Sequence, residues 1–140
     1  MVQTTTLILI AEDDLDDQAL LKEAFFQVVP QCKILFYRDG EFFLTALEEE
    51  PSLHCANLIL LDLNMPRRGG METLEELKQN EKWRDIPVVI FSTSRNVDDA
   101  TKSLSMGAND FITKPASYDE LVITAEKLAA TWLKGHFEAK

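Results

Sequence analysis

Cysteine is scarce. Only Cys32 and Cys55 occur in 140 residues, too far apart for a zinc or thiol-redox motif, so both are expected to be free thiols, buried or half-buried. His54 and His136 have no second His or Cys at ligand spacing and read as ordinary surface residues. Positive charge is short as well: 14 Lys and Arg stand against 24 Asp and Glu, for a formal net charge of −10. No basic cluster offers to neutralise a phosphate backbone, so direct nucleic-acid binding is not expected. No apolar run approaches the roughly 18 residues of a membrane span. The segment Met1-Val2-Gln3-Thr4-Thr5-Thr6 lacks the basic region and apolar core of a signal peptide. A Gly-rich turn is missing after the first apolar run, which disfavours a dinucleotide-binding domain. Repeats, low-complexity tracts and linkers are missing too. The chain therefore reads as a soluble cytoplasmic protein of one domain over residues 1–140, with its core at about 7–133 and no output domain.

What is present is a regular alternation. Leu7-Ile8-Leu9-Ile10-Ala11, Lys33-Ile34-Leu35-Phe36-Tyr37, Leu58-Ile59-Leu60-Leu61, Ile86-Pro87-Val88-Val89-Ile90-Phe91 and Asp110-Phe111-Ile112-Thr113 read as five strands. Unalternating Leu and Ile suit strands covered on both faces. Between them lie helical spacings: Leu21, Ala24, Phe25 and Val28 behind the capping Asp14; Phe43, Ala46 and Leu47 in a helix from Glu41 to Glu50; Met71, Leu74 and Leu77 from about Gly70; Val97, Ala100, Thr101 and Leu104, closed by Gly107. Ser117-Tyr118-Asp119-Glu120 fits a capping box before Leu121, Val122, Ala125, Leu128, Ala129 and Trp132. Glu48-Glu49-Glu50 sits at the wrong helix end for the dipole and reads as a solvated face. Five strand–helix units with short connections predict a doubly wound α/β fold, one parallel sheet with helices on both faces.

The residues just past the strands carry the chemistry. Glu12 and Asp13 follow the first, Asp62 the third, Ser92 the fourth and Lys114 the fifth, all at the edge where open α/β sheets bind ligands. Three carboxylates brought together repel one another unless a cation intervenes, and a hard divalent ion such as Mg2+ takes such oxygen ligands. An ammonium and a hydroxyl beside them suit the oxygens of a phosphoryl group. Each residue alone has a plain alternative: Asp62 bonding its own turn, Ser92 capping a helix, Lys114 as a surface charge.

Glu12-Asp13, Asp62-Leu63-Asn64-Met65-Pro66 with Gly70 eight residues past the aspartate, Ser92, and Lys114-Pro115 with Phe111 three residues earlier resemble the receiver domain of two-component response regulators. The resemblance runs from about Leu7 to Trp132 and implies the flavodoxin-like strand order 2-1-3-4-5. It implies Asp62 as acceptor of a phosphoryl group from a histidine kinase or phosphotransfer protein. It further implies Mg2+ (or Mn2+) on Glu12, Asp13, Asp62 and the main-chain carbonyl of Asn64, with the division of labour among Glu12, Asp13 and the extra acid Asp14 left open. Lys114 and Ser92 would contact the phosphoryl oxygens, and Phe111 would be either the switch aromatic or an ordinary half-buried strand residue. The Lys114-Pro115 bond would be cis. Gly69 stands where the family often has Asp, and Ala116 where Phe is common. Trp83-Arg84-Asp85-Ile86-Pro87 resembles the stand-alone receivers paired with bacterial phytochrome kinases.

By the same resemblance the output is a change of surface, on the fourth and fifth helices and fifth strand, that binds a downstream protein or a second copy. It is not a turnover enzyme, and neither DNA nor membrane is a partner. A phosphohydrolase of the haloacid dehalogenase kind is the competing reading, but it places its nucleophile after the first strand in a D-x-D pattern that Glu12-Asp13-Asp14 does not make. An adaptor pseudo-receiver is countered by intact Asp62, Asp13, Ser92 and Lys114.

Overall fold

The computed structural model describes residues 6–133; the expectations placed on residues 1–5 and 134–140, His136 among them, lie outside it. Five parallel strands, β1 (Leu7–Ala11), β2 (Lys33–Tyr37), β3 (Leu58–Leu61), β4 (Val88–Ser92) and β5 (Asp110–Thr113), form one sheet in the order β2-β1-β3-β4-β5. This is the flavodoxin-like order. Five α-helices alternate with them: α1 (Leu15–Val28), α2 (Gly40–Glu49), α3 (Gly70–Gln79), α4 (Val97–Ser105) and α5 (Tyr118–Trp132).

The side-chain period of two divides the central strands between two cores. Leu9, Ile59, Leu61, Val88 and Ile90 pack with Phe43, Leu47, Leu74 and Leu77 of α2 and α3. Ile8, Ile10, Leu58, Leu60 and Val89 pack with Leu21, Ala24 and Phe25 of α1 and with Leu121, Ala125, Leu128 and Ala129 of α5. Both faces are covered, which is why β1 and β3 carry no polar alternation.

Local signals account for most helix ends. The Asp14 carboxylate accepts the Asp17 N–H (3.0 Å) at the start of α1, and Ser117 Oγ accepts the Glu120 N–H (3.2 Å) at the start of α5. Gly107, at φ 109°, ends α4; its N–H reaches Leu104 O and the Ala108 N–H reaches Ser103 O (3.0 Å), the paired closure that a left-handed residue permits.

Several expectations are corrected. The face of α4 predicted to pack is largely open: Val97 is 75% and Leu104 46% exposed, and Ser103 is its buried residue. The helix lies beside edge strand β5, which is itself exposed to half-buried and offers little to cover it. A 3₁₀ turn, Pro51–Cys55, follows α2 where only a stop was expected; Pro51 has no N–H to donate and suits a first turn. That turn tucks His54 inward, so it is not an ordinary surface residue. Its Nε2 lies 2.9 Å from Leu47 O and 3.0 Å from the indole nitrogen of Trp83. Cys32 is buried, but Cys55 is exposed. Among the described residues no peptide bond is cis, so Lys114-Pro115 is trans. Trans is the intrinsically favoured isomer by about 0.5–1 kcal/mol, and the four-carbon stem of Lys114 reaches the acidic residues from it.

Candidate functional site

Register brings the strand ends level. Ala11 pairs with both Tyr37 and Leu61, Leu61 with Ile90, and Ser92 with Thr113. The ladder runs one residue further, through Glu12 N–H to Tyr37 O (2.8 Å), Asp62 N–H to Ala11 O (3.1 Å) and Lys114 N–H to Ser92 O (2.8 Å). Glu12, Asp62 and Lys114 are thus held by backbone bonds before any side chain contributes.

Carboxylate oxygens of Glu12, Asp13 and Asp62 lie within 4.8 Å of one another. Glu12 is 1% and Asp62 5% exposed, whereas Asp13 faces solvent. Asp14 is committed elsewhere, as the α1 cap. The Lys114 ammonium sits among the acids, 2.6 Å from Glu12 Oε1, 2.8 Å from Asp17 Oδ2 and 3.5 Å from Asp62 Oδ2. Glu12 Oε2 takes the Asp14 N–H (3.0 Å), and Asp62 Oδ1 takes the Asn64 N–H (3.2 Å).

Burial pushes the Glu12 carboxyl up to about 7, with the Asp62 charge acting the same way, against hydrogen bonds from Lys114 and the Asp14 N–H. Burial opposes the charge on Lys114 too, but bonds to Asp17 and Glu12 and the charge of Asp62 outweigh it and raise its pKa. One ammonium does not compensate this many carboxylates. An all-oxygen set with excess negative charge fits a hard divalent cation.

Ser92 is fully buried at the end of β4, and its Oγ accepts the Ser94 N–H (3.3 Å) within its own loop. Phe111 is half-buried against the α2/α3-side core. Ser92 ends β4 opposite Thr113, whereas Phe111 is the second residue of β5, paired with Ile90 two residues before that edge; among the described contacts neither bonds Asp62.

The loop after Asp62 does not turn on its glycines. Gly69 has φ −70° as the residue before α3, and the left-handed positions are Arg67 (φ 51°) and Arg68 (φ 82°). Two consecutive non-glycine residues there cost on the order of 1–2 kcal/mol each. Arg68 is held by Glu41 (3.0 Å) and Glu76 (3.2 Å). Gly70 serves close approach: a Cβ would lie 2.3 Å from Asp62 O and 2.6 Å from Leu63 Cα. Both are backbone atoms and cannot step aside, so Gly70→Ala is expected to lower stability by about 1–3 kcal/mol in denaturant melts.

The profile of the response regulator receiver domain matches residues 8–126. The chain belongs to the response regulator receiver domain family. It is 33% identical over 131 residues to the response regulator Rcp1 of Synechocystis sp. (strain ATCC 27184 / PCC 6803 / Kazusa), covering 91% of this chain and 89% of that one. The crystal structure of the phosphorylated cyanobacterial phytochrome response regulator RcpA matches with a TM-score of 0.85 at 32% identity, over 94% of this chain and 96% of that one. The Mn2+-bound form of Rcp1 matches with a TM-score of 0.81 at 32% identity, over 96% and 99%. This chain is accordingly a receiver domain of two-component response regulators, and the phosphohydrolase and adaptor readings are not favoured.

Every strand-end residue singled out in the sequence stands at this edge of the receiver domain. What the sequence missed is Asp17. An acid in the first turn of a helix does no more by its position than complement the dipole, but Asp17 bonds Lys114 across 97 residues of chain. Its signal was faint: it lies on the same first turn as the cap Asp14, at the mouth of the acidic strand end. Among the described residues, no helix is long and apolar enough to cross a membrane.

Proposed function

We propose that this receiver domain takes a phosphoryl group onto Asp62 from the phosphohistidine of a sensor histidine kinase or phosphotransfer protein. The observation that carries this reading is the meeting of Glu12, Asp13 and Asp62 oxygens within 4.8 Å around the Lys114 ammonium. An Asp62 carboxylate oxygen forms the new O–P bond as the histidine N–P bond breaks. The imidazole leaves with the electron pair, and Asp62 becomes an acyl phosphate.

Glu12, Asp13, Asp62 and the carbonyl of Asn64 would hold Mg2+, or Mn2+ in its place. A divalent ion there supplies charge that offsets the phosphoryl oxygens. Lys114 contributes the second positive charge and N–H donors to those oxygens. Once Asp62 is modified, the Ser92 hydroxyl leaves its loop bond for a phosphoryl oxygen, and Phe111 packs inward behind it. The phosphoryl group thereby selects one of two arrangements of the β4–α4 loop.

Output is a change in the surface of α4, β5 and α5, where exposed Val97 and Leu104 offer apolar area to a downstream protein or a second copy. The domain promotes its own phosphorylation and dephosphorylation and turns over no separate substrate. It binds neither DNA nor membrane and works in the cytoplasm. A phytochrome-type kinase is the phosphodonor we favour, because RcpA is described as a phytochrome response regulator and matches nearly the whole chain.

Incubation with Mg2+ and acetyl phosphate, followed by intact mass, tests the reading. The wild type is expected to gain one phosphoryl group and Asp62→Asn none. Equal addition to both, or none to the wild type with any donor, would overturn it.

A further inference from the structure

The Lys114 ammonium has three N–H donors, and their distribution is uneven. Glu12 Oε1 at 2.6 Å and Asp17 Oδ2 at 2.8 Å each take one at full hydrogen-bond length. Asp62 Oδ2, at 3.5 Å, lies beyond a good N–H···O distance. The group expected to act on the phosphoryl oxygens is therefore bonded to two other acids and only near its target.

Of those two acids, one is far easier to leave. Glu12 is 1% exposed, and without Lys114 its carboxylate would keep only the Asp14 N–H. A buried charge stripped of its partner is costly. Asp17 differs in both respects. Its side chain is 36% exposed, so water takes over readily, and it lies in the first turn of α1, where the unpaired N–H groups of the helix favour negative charge. A phosphoryl group arriving at Asp62 can thus draw the ammonium from Asp17 without disturbing Glu12.

From this asymmetry we infer that Asp17 is a positioning residue, a releasable tether that holds the Lys114 ammonium off Asp62 and so restrains phosphoryl transfer. The inference rests on Asp62 being the phosphoacceptor. Asp17 touches neither the acceptor nor the incoming group; it acts through Lys114 alone. Asp17 and Lys114 line both the open acidic cleft and a cavity of about 100 Å³ between α1 and the start of α5, lined also by Leu21, Phe91 and Tyr118. Removing Asp17 leaves the ammonium one bond fewer to break before it turns to the phosphoryl oxygens.

The test is the time course of phosphoryl addition from acetyl phosphate at saturating Mg2+ and low salt, read by intact mass. In the step measured, an Asp62 oxygen forms the bond to phosphorus and acetate leaves. Asp17→Ala and Asp17→Asn are expected to react about two- to fivefold faster than wild type, the factor to which an exposed pair's weight converts. Asp17→Glu is expected to restore the wild-type rate, and rising salt to shrink the ratio of Asp17→Ala to wild type by screening the tether. A merely structural acid gives a loss on removal, not a gain, and no such salt dependence. Equal or slower addition in both neutral variants, with the wild type labelled, overturns the tether alone. No labelling of the wild type overturns the phosphoacceptor reading and the tether together.

Discussion

Lys114→Met is expected to slow phosphoryl addition to Asp62 by roughly 10²–10³, the usual cost of losing one preorganised donor aimed at developing negative charge. Methionine keeps most of the apolar stem, so the loss isolates the ammonium from its packing. The Lys114 side chain is 12% exposed, and its ammonium sits among Glu12, Asp17 and Asp62. Its low surroundings make it worth more than a surface charge and make its removal felt in stability as well. Breaking one side of a buried pair ordinarily costs about 3–5 kcal/mol. Here Glu12 can escape part of that cost by taking a proton, since burial has already pushed its carboxyl up to about 7. The destabilisation measured in urea melts should therefore be larger at pH 8 than at pH 6. Wild-type labelling kinetics in Lys114→Met would remove the ammonium from the chemistry, and a pH-independent stability loss would remove Glu12 as its principal partner.

The parts of this domain that were legible in the sequence are those fixed by short-range patterns. Leu58–Leu61 had to be covered on both faces because no polar residue interrupts it, and the two cores confirm it. Asp14 and Ser117 cap the helices they precede because a short oxygen-bearing side chain three residues ahead of an N–H has one good geometry. Gathering Glu12, Asp62 and Lys114 needed only the rule that parallel strands bring like ends to one edge.

What escaped was decided by contacts far apart in sequence or by competition between similar options. Nothing around Asp17 tells which of several acids in the first turn will meet a lysine 97 residues later. Periodicity gave α4 an apolar face but could not say that edge strand β5 would leave Val97 and Leu104 open. Glycine was the natural choice for the left-handed turn after Asp62, yet Arg67 and Arg68 take it. Ion pairs from Arg68 to Glu41 and Glu76 hold the loop there, while Gly70 is kept for its missing Cβ. His54 read as an ordinary surface residue because its partner Trp83 lies 29 residues on.

Glu12 makes the metal-free domain lose stability as pH rises from about 4.5 to 7. Its folded pKa, about 7, stands above the reference 4.5, so over that interval the folded state holds a proton that the unfolded state has released. Stability falls with pH wherever the native state binds more protons. A shift of this size corresponds to about 3 kcal/mol at 1.36 kcal/mol per pH unit. Lys114 adds no slope here, because its raised pKa leaves it charged in both states throughout this range. Other carboxylates titrate in the same interval, so the measurement is a difference: wild type minus Glu12→Gln, each in EDTA, by urea melts from pH 4.5 to 8. That difference is expected to decline by up to about 3 kcal/mol across the interval and to flatten above it. Millimolar Mg2+ should then reverse the decline in the wild type at pH 7.5. Binding to the folded state alone adds stability by mass action, and a divalent ion favours the ionised carboxylate that burial disfavours. The Gln variant, with one carboxylate fewer, should respond less. Parallel pH profiles for the two proteins in EDTA would show that Glu12 is not the group held protonated. An Mg2+ response undiminished in Glu12→Gln would take it out of the cation site.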